Sequence, residues 1–235
     1  MKLPLLLTAA AFALASTTTH AATITWSAPT GISGDADVRA NGSLVGAFNI
    51  DGPSAPATTI NGVPFAPFTF SGNMATVGDF TFTSPVPFAS SFFGLTGPNP
   101  FGSLSPQYRA LLGTYGRNLS EAFTLTMNNL TVGDTYEFQW WANTSVTVGG
   151  LVTATAGNFV VLDSNPSGSA GGVGQYAVGS FVANATSQAI TFSGPGTNVL
   201  INGFQLRNST PVVPEPTTAL FGLAVCCVAA TRRRR

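Results

Sequence analysis

Short runs of β-branched and aromatic residues, each closed by a turn signal, recur along this chain and leave it few folds to adopt. The clearest is Thr135 to Ala142 (TYEFQWWA). Before it lies Ala122 to Met127 (AFTLTM), where Phe123, Leu125 and Met127 alternate with threonines. Such alternation puts apolar side chains on one face of a strand and polar ones on the other. Further strands are expected at Thr23 to Trp26, Leu44 to Ile50, Val63 to Phe70, Asp79 to Thr83 and Ser145 to Ala154. Asn158 to Leu162, Gln175 to Val182, Gln188 to Phe192 and Val199 to Arg207 complete the set. Asn41-Gly42 and Asn61-Gly62 are turn signals, and Pro64 and Pro67 argue for an edge or loop position around them. One helix is signalled at Ser105 to Leu112, with Ser105 as cap, Pro106 in the first turn and Gly113 at the end. Strands at this spacing with one short helix predict an all-β fold, a two-sheet antiparallel sandwich. Ser84 to Leu104, rich in proline and phenylalanine, reads as a long loop packed by its own aromatics. Ser164 to Gly174 reads as a flexible glycine-rich loop.

Such a sandwich must be held by its core, because Ala22 to Val213 contains no cysteine, histidine or lysine. No disulfide can form, and the length is enough for a sizeable core. Eight acidic side chains face four arginines in that span. The mild acidity excludes electrostatic binding of nucleic acid. Ser-His-Asp, Cys-His and histidine-based zinc chemistry are excluded by composition. Glu121 and Glu137 are the domain's only glutamates, and solvated strand-edge positions account for both. The expectation is a protein that is not an enzyme.

The two ends carry a different message. Lys2 precedes the apolar run Leu3 to Ala15, and small residues lead to Ala21, the order of a secretory signal peptide over residues 1–21. The sandwich domain then occupies residues 22–209, and residues 210–235 are a linker and tail. The tail reads Pro214-Glu215-Pro216, an apolar helix over residues 217–231, and Arg232, Arg233, Arg234 and Arg235. The apolar part is short of the ~20 residues that span a bilayer, although terminal arginines extend its reach by snorkelling. Four arginines together resist translocation and orient the tail with its end in the cytoplasm. Two prolines around Glu215 keep the preceding segment extended and accessible. Motif, apolar stretch and basic end, in that order and paired with a signal peptide, resemble the PEP-CTERM sorting signal. The resemblance implies recognition and cleavage near the motif by an exosortase, after signal peptidase has acted. It also implies transient anchoring in the inner membrane, a final place at the cell surface or outside it, and an association with exopolysaccharide and biofilm. An ordinary single-pass tail anchor is the alternative.

A second resemblance spans most of the domain. Asp37-Val38, Gly42-Ser43-Leu44-Val45, Thr59 to Phe65, Leu130 to Tyr136 and Asn202 to Arg207 are similar to the galactose-binding-like jelly rolls of exported bacterial surface proteins. It implies a fold more than a function.

Two candidate sites follow. On the strand Thr135 to Ala142 the core-facing set is Tyr136, Phe138 and Trp140. Glu137, Gln139 and Trp141 lie on the opposite face, with Asn143 at the strand end. An indole beside amide and carboxylate groups is a sugar platform, unless loops or the helix cover that face and make Trp141 core. Asp35 and Asp37, with Asn41 nearby, offer oxygen ligands for a structural calcium ion. Plain turn formation is the alternative. The expected function is therefore that of an exported, sorted, non-catalytic protein touching extracellular polysaccharide. The alternative is a purely structural or adhesive coat protein.

Overall fold

The computed structural model describes residues 21–211 except 52–56, 93, 119–121, 147–148 and 196–198. The expected signal helix and the sorting tail, Pro214 to Arg235, lie outside the described residues. Among the described residues no helix is long and apolar enough to cross a membrane.

In chain order the strands begin with β1 (Thr25–Trp26), β2 (Thr30–Gly31), β3 (Ser43–Asp51), β4 (Thr58–Ile60), β5 (Val63–Thr69) and β6 (Met74–Val77). Next come β7 (Phe80–Thr83), β8 (Ala89–Phe92), helix α1 (Pro106–Leu112), β9 (Thr114–Asn118), β10 (Phe123–Met127) and β11 (Thr135–Ala142). The remainder are β12 (Leu151–Ala156), β13 (Asn158–Asp163), β14 (Gln175–Val182), β15 (Gln188–Ser193), β16 (Val199–Ile201) and β17 (Gly203–Asn208). An eight-stranded sheet runs β1-β14-β11-β17-β3-β5-β4, with β2 also on β14. It faces a six-stranded sheet, β13-β12-β15-β10-β7-β6, and β16-β9-β8 forms a small third sheet.

The expected antiparallel sandwich is present, with one parallel pair, β3 and β5. Between the sheets Trp140, Phe138, Phe204, Phe48, Phe68, Phe82 and Phe192 form the main core. Phe68 and Phe82 meet edge to face at 5.2 Å, as do Trp140 and Phe192 at 5.1 Å. Such contacts add to the area term for each ring. No disulfide is needed where so much aromatic surface is removed from water.

Local chemistry explains the elements around this core. Asn61 and Gly62 both take positive φ, 49° and 75°, between Ile60 and its partner Val63. That is the two-residue hairpin turn that Asn-Gly favours. Ser105 Oγ accepts from the Tyr108 N–H at 3.0 Å, and Gly113 closes α1. Three expectations change. β5 is inside its sheet, with only the three-residue β4 beyond it, so its prolines do not mark an edge. The Ser84 to Leu104 segment contributes β8, paired with β9, and Phe88 stacks on Phe70 at 4.3 Å. The glycine-rich loop after β13 is pinned: Asn165 Nδ2 donates to the carbonyls of Val146 and Ser169, and the Gly171 N–H donates to Ser145 O at 2.8 Å.

Candidate functional site: a polar groove on the large sheet

The large sheet has a second layer on its outer face. Loop 33–42 and α1 cover part of it, and together with side chains from β4 and β5 they bury a separate cluster of Trp141, Tyr108, Phe65, Ile60, Val63 and Leu111. Trp141 is therefore 0% exposed. Its indole N–H donates to Tyr108 Oη at 2.9 Å and its ring meets Phe65 edge to face at 5.7 Å. Gln139 and Asn143 are buried with it. Gln139 Nε2 donates to Asp37 O at 2.7 Å and its Oε1 accepts from the Arg39 N–H at 2.9 Å. Asn143 ties three segments together through Asn202, Leu112 and Gly174. The sugar platform expected from Trp141, Gln139, Glu137 and Asn143 is corrected accordingly. Three of the four are spent on holding the second layer, and only Glu137 reaches solvent.

The carboxylates expected to suit calcium are engaged in the same layer. Asp37 closes its own loop, accepting from the Ser33 and Gly34 N–H groups at 2.6 and 3.0 Å and from Ser33 Oγ at 2.7 Å. Asp35 Oδ1 accepts from Ser105 Oγ at 2.6 Å, joining the loop to the helix cap. This is the turn alternative. Among the described residues no group of three His, Cys, Asp or Glu side chains could hold a metal ion.

Where the second layer stops, the sheet face is open. Register places Thr25, Ser180, Glu137 and Arg207 in one row across β1, β14, β11 and β17. Loop 33–42 forms one bank of the resulting groove. Arg207 holds it there, donating to Asn41 O, Ala40 O and Gly42 O at 2.6, 2.8 and 2.7 Å. Gln205 Nε2 adds a bond to Arg39 O at 3.0 Å. The Arg39 backbone is thus clamped while its side chain stays exposed. The opposite bank is β1, at the sheet edge. Its Trp26 ring turns to the other face and packs against the core, held by a 3.3 Å bond from Nε1 to Asn158 O and by edge contact with Phe138 at 6.3 Å. Thr25 and Ser27 therefore present the groove side of β1. Ser27 Oγ accepts from the Val178 N–H at 3.0 Å.

The groove, about 280 Å³, is lined by Thr25, Trp26, Ser27, Arg39, Glu137, Val178 and Ser180. Burial pulls the Arg207 pKa below its ordinary value, and the neighbouring Glu137 carboxylate pushes it back up. Glu137 is an acceptor at the floor, with the Arg39 guanidinium donor in the same lining and three hydroxyls that both donate and accept. Val178 supplies apolar contact. The volume lies near the lower end of ligand pockets, about 300 Å³, so it fits a short part of a longer molecule. Arg39 and Ser180 were not singled out by the sequence, and no local signal marks them.

No family model matches this sequence, and no curated protein matches it. Among solved structures, the chain is similar to Bacteroides uniformis beta-glucuronidase 2 covalently bound to cyclophellitol-6-carboxylate aziridine. The identity is 13% and the TM-score 0.46, over 69% of this chain and 17% of that one. It is also similar to the exo-beta-1,3-galactanase of Phanerochaete chrysosporium with galactose, at 18% identity and a TM-score of 0.27, over 54% of this chain and 32% of that one. The chain therefore spans a minor part of each.

Proposed function

We propose that this chain is an exported, non-catalytic surface or matrix protein whose sandwich contacts extracellular polysaccharide through the Glu137–Arg39 groove. The observation that carries this reading is the groove's chemistry. A carboxylate, a guanidinium and three hydroxyls converge in a shallow hollow open to solvent, beside the apolar Val178. Sugars offer hydroxyl edges that such a lining answers with donors and acceptors. The absence of histidine, cysteine and lysine between residues 22 and 213 supports a binding role over a catalytic one. The export half of the proposal rests on the termini. A signal-like start and the ordered Pro214-Glu215-Pro216, apolar and arginine segments support sorting by an exosortase. The test is affinity electrophoresis of the full chain through neutral and acidic polysaccharides, with Glu137→Ala and Arg39→Ala alongside. Retardation by at least one polysaccharide, weakened roughly tenfold in both variants, is expected. Retardation by none, or equal retardation of all three proteins, would end the groove reading.

A further inference from the structure

The outer face of the six-stranded sheet carries an ordered array that the groove does not use. Register aligns Phe159, Thr155, Thr191, Thr124, Thr83 and Met74 in a single row across β13, β12, β15, β10, β7 and β6. A second row holds Ala189, Thr126, Thr81 and Thr76. The alternate residues of these strands, among them Phe82, Leu125, Ala154 and Ile190, are in the core, so every threonine in the rows points outward. Adjacent hydroxyls touch along the rows, Thr124 with Thr191 at 3.4 Å and Thr76 with Thr81 at 3.1 Å. The first row ends in two apolar side chains held in water, Phe159 at 68% and Met74 at 63% exposure.

A solvent face of this kind ordinarily carries charge, which keeps a protein soluble and blunts association. Here no residue of β6, β7, β10, β12 or β15 is charged, and Asp163 at one end of β13 is the single charge on the sheet. A charge-free face is complementary to a neutral occupant. The occupant's shape follows from the sheet. Strands lie about 4.8 Å apart, so the six-strand row is about 24 Å long. Twist of about 20° per strand turns it through roughly 100°. A rigid crystalline surface would meet only a strand or two. A second copy packed here would set two twisted faces of fixed hydroxyls against each other, and each hydroxyl that meets no counterpart would lose its water at a cost in free energy. A single extended polymer can follow the twist and exchange hydroxyl–water bonds for hydroxyl–hydroxyl bonds. An extended β-linked polysaccharide advances by about one strand spacing per sugar.

We propose that this threonine row is a second polysaccharide track, taking one neutral, extended β-linked chain across the strands with Phe159 as its apolar end stop. The proposal rests on the reading of the Glu137 groove as the first contact. The two sites lie on the outward faces of opposite sheets, so one molecule joins two polysaccharide chains and acts as a cross-linker.

The test mixes the full chain with a soluble neutral β-linked glucan and follows particle growth by light scattering, with binding read separately by affinity electrophoresis. Thr124→Val with Thr191→Val removes two hydroxyls while keeping shape and strand propensity. Thr83→Glu with Thr155→Glu places charge at two exposed positions. Both pairs should abolish particle growth and leave residual binding at the groove. Glu137→Ala should also abolish growth while binding persists on the row. Growth unchanged in both threonine pairs would overturn this proposal alone. Failure of every form to bind the glucan would overturn it together with the groove reading. Dimerisation without glucan, lost in the same threonine variants, would assign the face to a second copy and overturn the track.

Discussion

Asn143→Ala takes a residue the sequence offers as a sugar contact and asks what it holds. The side chain is 0% exposed. Its Oδ1 accepts from the Gly174 N–H at 2.8 Å; its Nδ2 donates to Leu112 O at 3.1 Å and, more weakly, to Ser145 Oγ at 3.4 Å. Alanine leaves the Gly174 donor without this acceptor in a buried place, a cost of about 1–3 kcal/mol. Losing the donor side costs less, about 0.5–1 kcal/mol, because Leu112 O keeps the Asn202 amide at 2.8 Å. The total, roughly 2–4 kcal/mol, lowers Tm by roughly 5–15 °C for a domain of this size. Thermal melts followed by circular dichroism measure it, and polysaccharide affinity is measured well below the transition. Affinity within about twofold of wild type is expected. An unchanged Tm with lost affinity would refute the reasoning and return Asn143 to the binding surface.

Gly174→Ala should fail to fold or melt far below wild type in the same assay. A Cβ there would collide with the carbonyl oxygens of Ala142 and Ser164, both fixed backbone. Alkaline pH offers a check on the second layer. Burial first, and then the Asp37 carboxylate, hold the Tyr108 phenol well above its ordinary pKa of 10.0. The unfolded chain loses this proton first, so the contribution is complete below about pH 10 and drains away as pH rises toward the folded value. Urea midpoints should therefore fall more steeply above pH 10 in wild type than in Tyr108→Phe; parallel slopes would contradict this. For the tail, intact mass of surface material should lack Arg232 to Arg235, and retention of the four arginines would count against processing.

The strands were legible wherever threonine alternated with a large apolar residue, as in Phe123 to Met127, because one side faced water and the other the core. The Asn61-Gly62 turn and the Ser105 cap were legible because their chemistry is local. β8 was hidden among prolines, and the short β9 (TYGRN) carries too little apolar pattern to declare itself. The run Val199 to Arg207 is broken at Asn202, whose amide is drawn to Leu112, Thr114 and Asn143 by contacts distant in sequence. The site was half legible for the same reason. Period two correctly placed Trp140 inward and Glu137, Gln139 and Trp141 on the other face. Which part of that face remains open depends on where loop 33–42 and α1 come to rest. That is a tertiary outcome, and it leaves Glu137, Arg39 and Ser180 open while it buries Trp141.

The three tryptophans make that conclusion directly measurable, since each gives one indole N–H signal in an amide correlation spectrum. The full chain is titrated with short oligosaccharides of whichever polysaccharide retards it. The account predicts that backbone signals of Ser27, Arg39, Glu137 and Ser180 shift, while the Trp140 and Trp141 indoles stay in place. Movement of the Trp141 indole with those backbone signals unmoved would contradict it.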